Sequence, residues 1–364
     1  MLENQQVDIC IIGAGLTGLL LAYRLEKTDK KVVIIESRER IGGRIYTDSK
    51  EGLAPVEMGA TWLFDQHTQL RSLMKELELD TFAQVIDRQV IYEASDESPY
   101  IHANLPDNQE VSYRIRGGTA QIINALRQKL ERTKIYLNKQ VVAIEDHGSF
   151  IQLTLSNTTG EQKLVAKTVI STLPSNLLVN TTRFEPRLPR SFTDVANRTH
   201  TWMGESIKIA LRYDEPFWRK KGATGTIFSN VGPITEMYDH SDYDDQNYAL
   251  MGFLNNSFHG LSKKERKALV LRQLKKYYGN EVFNLIDYIE TVWSRDNSTY
   301  HEYVSHVVPH QNQGHSIYQQ AQYNGKLWFA GTETSREFPG YMEGAVRSAG
   351  YVMKSLELAK SRIS

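Results

Sequence analysis

Three glycines and a carboxylate carry the first chemical signal in this chain. Gly13, Gly15 and Gly18 stand in G-x-G-x-x-G spacing around Ala14, Leu16 and Thr17, and Glu36 closes an apolar run further on. Such a triplet turns the chain tightly, lets backbone approach a pyrophosphate and packs a helix closely on a strand. A carboxylate about 20 residues later can accept from ribose hydroxyls, and the helix start can hold the anion with its free N–H groups. A second cluster follows in Ser37-Arg38-Glu39-Arg40-Ile41-Gly42-Gly43-Arg44. It sets a glycine pair beside forked, always-charged guanidiniums, so phosphate oxygens can be met a second time. An ordinary nicotinamide site does not need this second element.

The elements that must position these residues read clearly at the start of the chain. Residues 7–12 form an apolar run ending at Gly13, residues 16–25 have helical spacing, and residues 31–36 contain a second apolar run. Strand, helix and strand in so few residues imply a right-handed βαβ unit. Helices are expected at 68–79 and 119–130, a hairpin at 140–147 and 150–155, and a buried strand at 167–173. Strands at 202–213, 223–229 and 248–254 look like a separate sheet. A capping box, Ser262 to Glu265, opens a helix that stops at Gly279. A last strand at 326–330 and a last helix at 344–358 complete the pattern. The expected fold is α/β: a Rossmann-like first domain (1–80, 117–180 and 294–364) with an interleaved mixed-sheet second domain (81–116 and 181–293).

Composition narrows the function classes. The 364 residues carry 43 Lys+Arg against 43 Asp+Glu, which argues against a nucleic-acid binder. One cysteine, Cys10, rules out an intramolecular disulfide framework and any Cys-based zinc site. His301, His306, His310 and His315 match no metal-ligand spacing, so no metal is expected. The apolar run over 7–22 has no basic residue ahead of it and is broken by glycines, so it does not read as an export signal. No segment has the length of a membrane span. A cytoplasmic protein is expected.

From Glu36 to Arg44 the chain resembles the flavin-containing amine oxidase family, which includes monoamine and polyamine oxidases. The resemblance extends through Gly59-Ala60-Thr61-Trp62, the Gly117-Gly118 pair, Val141, Trp293, and the stretches Phe329 to Thr334 and Gly340 to Ala345. It implies a Rossmann-like FAD-binding domain (GR2-type) and FAD as cofactor. By that resemblance Glu36 holds the adenosine ribose, with Ser37 and Arg38 beside it, while Gly43 and Arg44 lie along the pyrophosphate. Val141 contacts the adenine through its backbone, and Glu333 (after Gly331) touches the phosphate–ribityl portion. Gly59 to Trp62 lie under the flavin ring, Trp293 is near it, and the Met342 to Ala345 backbone contacts the isoalloxazine.

The same resemblance names the candidate catalytic residues. Read alone, Lys208 is a lysine on a solvated sheet face, since Ile207, Ile209 and Leu211 share the other one. The flanking Gly204-Glu205-Ser206-Ile207-Lys208 and Glu215-Pro216-Phe217-Trp218 are similar to the stretch carrying the family's flavin-facing lysine, which holds a water near flavin N5. Tyr341, from the G-Y-M-E-G match, and Tyr303, from its spacing after Trp293, stand where two rings would align a substrate amine. The implied reaction is hydride transfer from an amine's α-carbon to flavin N5, giving an imine, with dioxygen as oxidant and hydrogen peroxide as product.

Two departures qualify the resemblance. Glu302 occupies the place of the cysteine that tethers the flavin in monoamine oxidases, so a non-covalent flavin is expected. Between Trp62 and Gly117 only about fifty residues remain where the family carries a long helical roof. Residues 92–108 look like strands and loops instead, which leaves open a more exposed cavity, one that accepts a bulky or peptidyl amine, or one completed by a second subunit, as in a homodimer. Two alternatives remain: a carbon–carbon desaturase of the protoporphyrinogen oxidase or carotenoid desaturase kind, and a flavin-binding interaction module without turnover.

Overall fold

Val32-Val33-Ile34-Ile35 are buried on both sides, and this is the clue to the main sheet. A strand apolar on both faces belongs in the middle of a layered α/β structure, where helices cover each side. In the computed structural model, which describes residues 5–86, 89–106, 110–158, 160–222 and 224–361, five strands run parallel here. Their order is Lys134–Tyr136, Val32–Ile35, Gln5–Ile12, Gly160–Ser171 and Leu327–Phe329. On the edge away from Gln5–Ile12, the 12-residue strand Gly160–Ser171 serves two partners in turn. Its first half pairs antiparallel with Ile151–Asn157, and its last residues pair with Leu327–Phe329.

Helix Leu16–Leu25 packs on one face of this sheet. Eight of its residues are buried, so it is apolar nearly all round, as an inner helix should be. Leu19, Leu21 and Leu126 meet Ile9, Ile11 and Ile34 in the core on that side. Each fully buried leucine contributes roughly 1.5–3 kcal/mol of transfer free energy. Cys10 points to the opposite face, fully buried among Val33, Val169 and Phe192, and burial pushes its thiol well above the ordinary range.

The second sheet has seven strands in the order Leu285–Val292, Ile207–Tyr213, Tyr248–Leu254, Ile234–Asp239, Ile227–Ser229, Gln89–Glu93 and Ile101–Asn104. Helix Lys263–Tyr278, opened by the Ser262–Glu265 capping box, covers one face through Val270, Leu271 and Leu274. The other face lies against the first domain, where Ala210, Ala249 and Met251 meet Ala54, Val56 and Met58. All seven residues of Ile207–Tyr213 are therefore buried. The solvated face expected for Lys208 from its own neighbours does not exist. Arg212 shares that covered face, and ion pairs to Asp48 and Asp287 make its burial tolerable.

An element end differs from the sequence expectation, and a strand carries an irregularity. Residues 202–206 form a turn, and the strand begins only at Ile207. In Ile234–Asp239 the register shifts between Ile234 and Glu236. This bulge lets Ile234 and Met237 both face the covering helix while Glu236 faces away. Among the described residues of 77–116 there are only short strands and no helix, as expected for 92–108. Asn108 and Ala223, at the ends of two expected segments, lie outside the described residues.

Candidate active site

The site begins at a helix end with nothing to cap it. Leu16–Leu25 starts after Gly15 with no side-chain cap and no acid in its first turn. Such an end leaves N–H groups unsatisfied and draws an anion. Gly13 sits at φ +101°, a conformation natural only to glycine, and makes the turn. Gly18 lies so close beneath it that an added Cβ would stand 2.0 Å from the Gly13 carbonyl oxygen. At Gly15 the nearest atoms to an added Cβ, in Gly42 and Gly43, are 3.9 Å away. Gly18 is thus needed by the protein itself, whereas the space over Gly15 is left for a ligand.

Charges line this cradle in fixed positions. The Glu36 carboxylate, 3% exposed, accepts from the amides of Ala14 (2.7 Å) and Arg38 (2.9 Å). Ser37 donates to Ser298 Oγ at 2.9 Å, and Arg38 pairs with Asp296 at 2.9 Å. Arg44 grips buried Glu333 with both nitrogens, at 2.5 and 2.9 Å, and donates to the Trp202 carbonyl at 3.1 Å. A cavity of about 380 Å³ runs along Gly13, Gly15 to Thr17, Glu36, Arg38 and Gly42 to Arg44. Gly331, after the strand Leu327–Phe329, and Met342 and Ala345 of the last helix also line it. That volume lies within the ~300–1,000 Å³ typical of a small-ligand pocket.

Beyond the cradle the wall is made by the second sheet. Lys208, 1% exposed, donates from Nζ to the Gly59 carbonyl at 2.6 Å and to Thr61 Oγ1. Its Nζ also lies 5.6 Å from the Trp62 ring centre and 5.1 Å from that of Phe253. Burial pulls its pKa down to about 7, with the carboxylates of Glu57 and Glu236 acting the other way. Trp293 donates from its indole to the Met58 carbonyl at 2.9 Å, which steadies the Gly59–Thr61 loop from behind. Opposite, the rings of Tyr341 and Trp202 stand 6.1 Å apart with a 32° tilt. Trp202 is in turn stacked on His310 at 4.1 Å.

This arrangement meets known proteins at every level. Residues 94–352 match the model of the flavin-containing amine oxidoreductases, and residues 11–77 match an NAD(P)-binding Rossmann-like domain. The chain belongs to the flavin-containing amine oxidoreductase family. A Dictyostelium discoideum protein named "Probable flavin-containing monoamine oxidase A" is 24% identical over 96% of this chain and 97% of its own. Their alignment spans 456 positions against 364 residues here, so the relative carries insertions. Putrescine oxidase of Kocuria rosea is 22% identical, covering 80% of this chain and 83% of that one. Among solved structures, a putrescine oxidase bound to putrescine superposes with a TM-score of 0.82 at 21% identity, over 98% and 100% of the two chains.

The protein is therefore an oxidoreductase of the amine oxidase type, and the family's cofactor is a flavin. The uncapped helix end, the open space over Gly15 and the carboxylate at Glu36 suit a flavin dinucleotide. Lys208, Trp62, Thr61, Ala60 and Gly59 then form the inner wall, with Tyr341 facing them. No helix among the described residues is long and apolar enough to cross a membrane.

Two expected residues stand elsewhere. Tyr303 is not part of the cavity wall: its hydroxyl accepts from the Thr201 amide at 2.7 Å and its ring meets Tyr300 edge-on. Val141 is buried in the hairpin strand Gln140–Asp146, where its carbonyl accepts from Thr182, away from the wall. Several residues of the site went unread in the sequence, among them Glu57, Trp202, Glu236 and Phe253. Glu57 sits buried below Lys208, held by the Thr119 amide at 2.6 Å and the Thr47 hydroxyl at 2.8 Å. Its position before Met58-Gly59 was the only local hint.

Proposed function

We propose that the protein oxidises a small-molecule amine to the imine with FAD bound non-covalently. The observation that carries this reading is the buried Lys208 ammonium site, held on Gly59 and Thr61, in the same cavity as the uncapped Gly15 helix end. When bound, the flavin supplies the two-electron acceptor at N5, and dioxygen takes the two electrons and two protons onward as hydrogen peroxide. Lys208, which desolvation leaves able to lose its proton near neutrality, holds a water at the reacting face and keeps that face ordered. The aromatic wall of Trp62, Trp202 and Tyr341 excludes bulk solvent and favours an amine in its neutral form, the form that can give up a hydride. Trp202, instead of Tyr303, serves as the ring opposite Tyr341.

Glu302 sits at the tethering position and Cys10 is buried in the sheet core, so no thiol is available to bond the flavin. The division into a cradle domain and a substrate domain, each built on one of the two large sheets, belongs to the same reading.

The test is direct. The purified protein is mixed anaerobically with an amine panel while the flavin absorbance is followed. Bleaching by amines with an imine-derived aldehyde as product is the expected result, and acid precipitation should leave all of the flavin in the supernatant. Absence of bleaching by every amine, in a protein that retains its flavin, would overturn the assignment.

A further inference from the structure

The Trp202 ring that lines the cavity stands on a turn, outside any strand or helix, and a ring so placed needs other supports. Gly340, at φ +87°, lies so close that an added Cβ would stand 2.8 Å from Trp202 Cγ. Arg44 holds the Trp202 carbonyl at 3.1 Å. The third support is His310, whose imidazole lies over the indole at 4.1 Å between ring centres with a 26° tilt. Among the described residues, it is the one histidine of the 301–315 cluster that stacks on a ring of the cavity wall.

The imidazole is itself held in place. His310 has φ +63°, a conformation costly for a residue with a side chain and kept only where the surroundings dictate it. Its amide donates to His200 Nδ1 at 3.3 Å, and its own Nδ1 meets Gln313 Oε1 at 2.8 Å. Gln313 donates from Nε2 to the His200 carbonyl at 2.8 Å, which leaves Oε1 as the end facing His310. An amide oxygen can only accept, so His310 carries a proton on Nδ1. His200 in return donates its backbone N–H to the Gln311 carbonyl at 3.0 Å, and its ring stands edge-on to Trp202 at 6.0 Å. The His200 Nδ1 must be unprotonated to accept, and burial lowers that ring's pKa in keeping with this. Two stretches of chain, 200–202 and 310–313, are thus tied together around the indole.

We propose that His310 is a positioning residue for amine oxidation: it fixes the angle of the Trp202 ring against Tyr341, and so the line along which the substrate amine meets the flavin. This rests on the reading that Trp202 is the ring opposite Tyr341. His310 does not line the cavity, so it reaches the substrate through Trp202. Stacked rings hold each other's tilt, because aromatic pairs favour particular offsets and angles. A substrate misplaced by about 1 Å reacts far more slowly, so a ring outside the cavity can govern the rate inside it.

The experiment follows anaerobic flavin bleaching in the flavin-loaded enzyme, with the amine that reduces the wild type fastest. His310→Asn removes the ring and tolerates the positive φ, so the loop keeps its path. It should lower the limiting bleaching rate about fivefold, the scale of one aromatic pair, and leave the half-saturating amine concentration within about twofold. His310→Phe keeps a ring on the indole and should recover the wild-type rate within about twofold. In a Trp202→Ala background, His310→Asn should cost less than about 1.5-fold, because the residue it acts through is gone. Gln313→Leu frees the imidazole without removing it, should slow bleaching about twofold, and decides the matter if His310→Asn misfolds. Equal losses from His310→Asn in the two backgrounds would mark a merely structural loop and overturn the proposal. So would His310→Asn or Gln313→Leu at the wild-type rate, or His310→Phe as slow as His310→Asn. Trp202→Ala at the wild-type rate would overturn this proposal and the ring pair together, with amine oxidation intact. No bleaching by any amine would overturn amine oxidation as well.

Discussion

The two ends of the cavity are built on opposite plans. At the cradle end, backbone does the work: a glycine turn, an uncapped helix and a carboxylate come from one stretch of about thirty residues, Gly13 to Arg44. At the other end, side chains do it. Lys208, Phe253 and Glu236 come from three strands, Trp62 from a loop, and Trp202 and Tyr341 from two further segments. A local motif can grip a common cofactor with little freedom in its sequence. A wall assembled from six separate segments can change one residue at a time, which suits the part of an enzyme that chooses its substrate.

The sharpest contrast can be broken inside the cradle itself. Gly15→Ala makes only ordinary 3.9 Å contacts with Gly42 and Gly43 and has an ordinary φ of −77°, so the apoprotein should fold with its melting temperature within about 2 °C of wild type. The added methyl should nonetheless occupy the ligand's space, and flavin should be lost on gel filtration. Gly18→Ala should do the reverse in order of cause, lowering the apoprotein's melting temperature first because its methyl collides with Gly13. Equal melting curves for the two variants would show that both glycines serve packing alone.

At the opposite end the expected loss is kinetic. Lys208→Met fills the same volume, keeps flavin, and should slow anaerobic flavin bleaching by amines roughly 10²–10⁴-fold, the range for a positioned proton-handling group. It should also cost about 1–3 kcal/mol in stability, because the Gly59 carbonyl loses its donor. Stopped-flow absorbance and thermal melts separate the two effects. A Lys208→Met enzyme that bleaches at the wild-type rate would move the chemistry away from this wall.

How far the sequence shows each end follows from these plans. Contiguous residues with a backbone reason, such as Gly13, Gly18 and the Ser262–Glu265 cap, are visible because the reason lies within a few positions. Lys208 is visible as a residue, but its surroundings are not. Only the docking of Ala54 to Met58 onto its sheet face turns a solvated lysine into a buried one. Trp202 was hidden inside an expected strand that in fact starts five residues later. Glu236 was hidden by the bulge, since plain alternation would have placed it on the same face as Ile234. The ring pair is the next test of that limit. Trp202→Ala should lower kcat/KM for a small amine about tenfold, and Tyr303→Phe should change it less than threefold, because Tyr303 faces Thr201 and Tyr300. Steady-state peroxide release measures both. A larger loss at Tyr303 would return the second ring to that position.

The smallest effect reads the Lys208 wall through stability instead of rate. In the folded protein desolvation brings the Lys208 pKa from its ordinary 10.5 to about 7. Below about pH 7 the lysine is protonated in folded and unfolded chains alike, and the cost of burying its charge is fully present. Between about 7 and 10.5 the unfolded chain holds a proton that the folded chain has released. Stability must therefore rise with pH across this window, by up to ~1.4 kcal/mol per unit. Glu57 and Glu236, both raised by burial, act with the opposite sign from about pH 4.5 upward, as each loses its proton more reluctantly when folded. Comparing wild type with Lys208→Met as flavin-free proteins isolates the lysine. Between pH 7.5 and 8.5 the wild type should gain about 2 °C in melting temperature relative to the variant. Parallel curves would mean that Lys208 keeps its proton throughout, and its wall would then present a fixed cation to the substrate amine where the geometry calls for a neutral one.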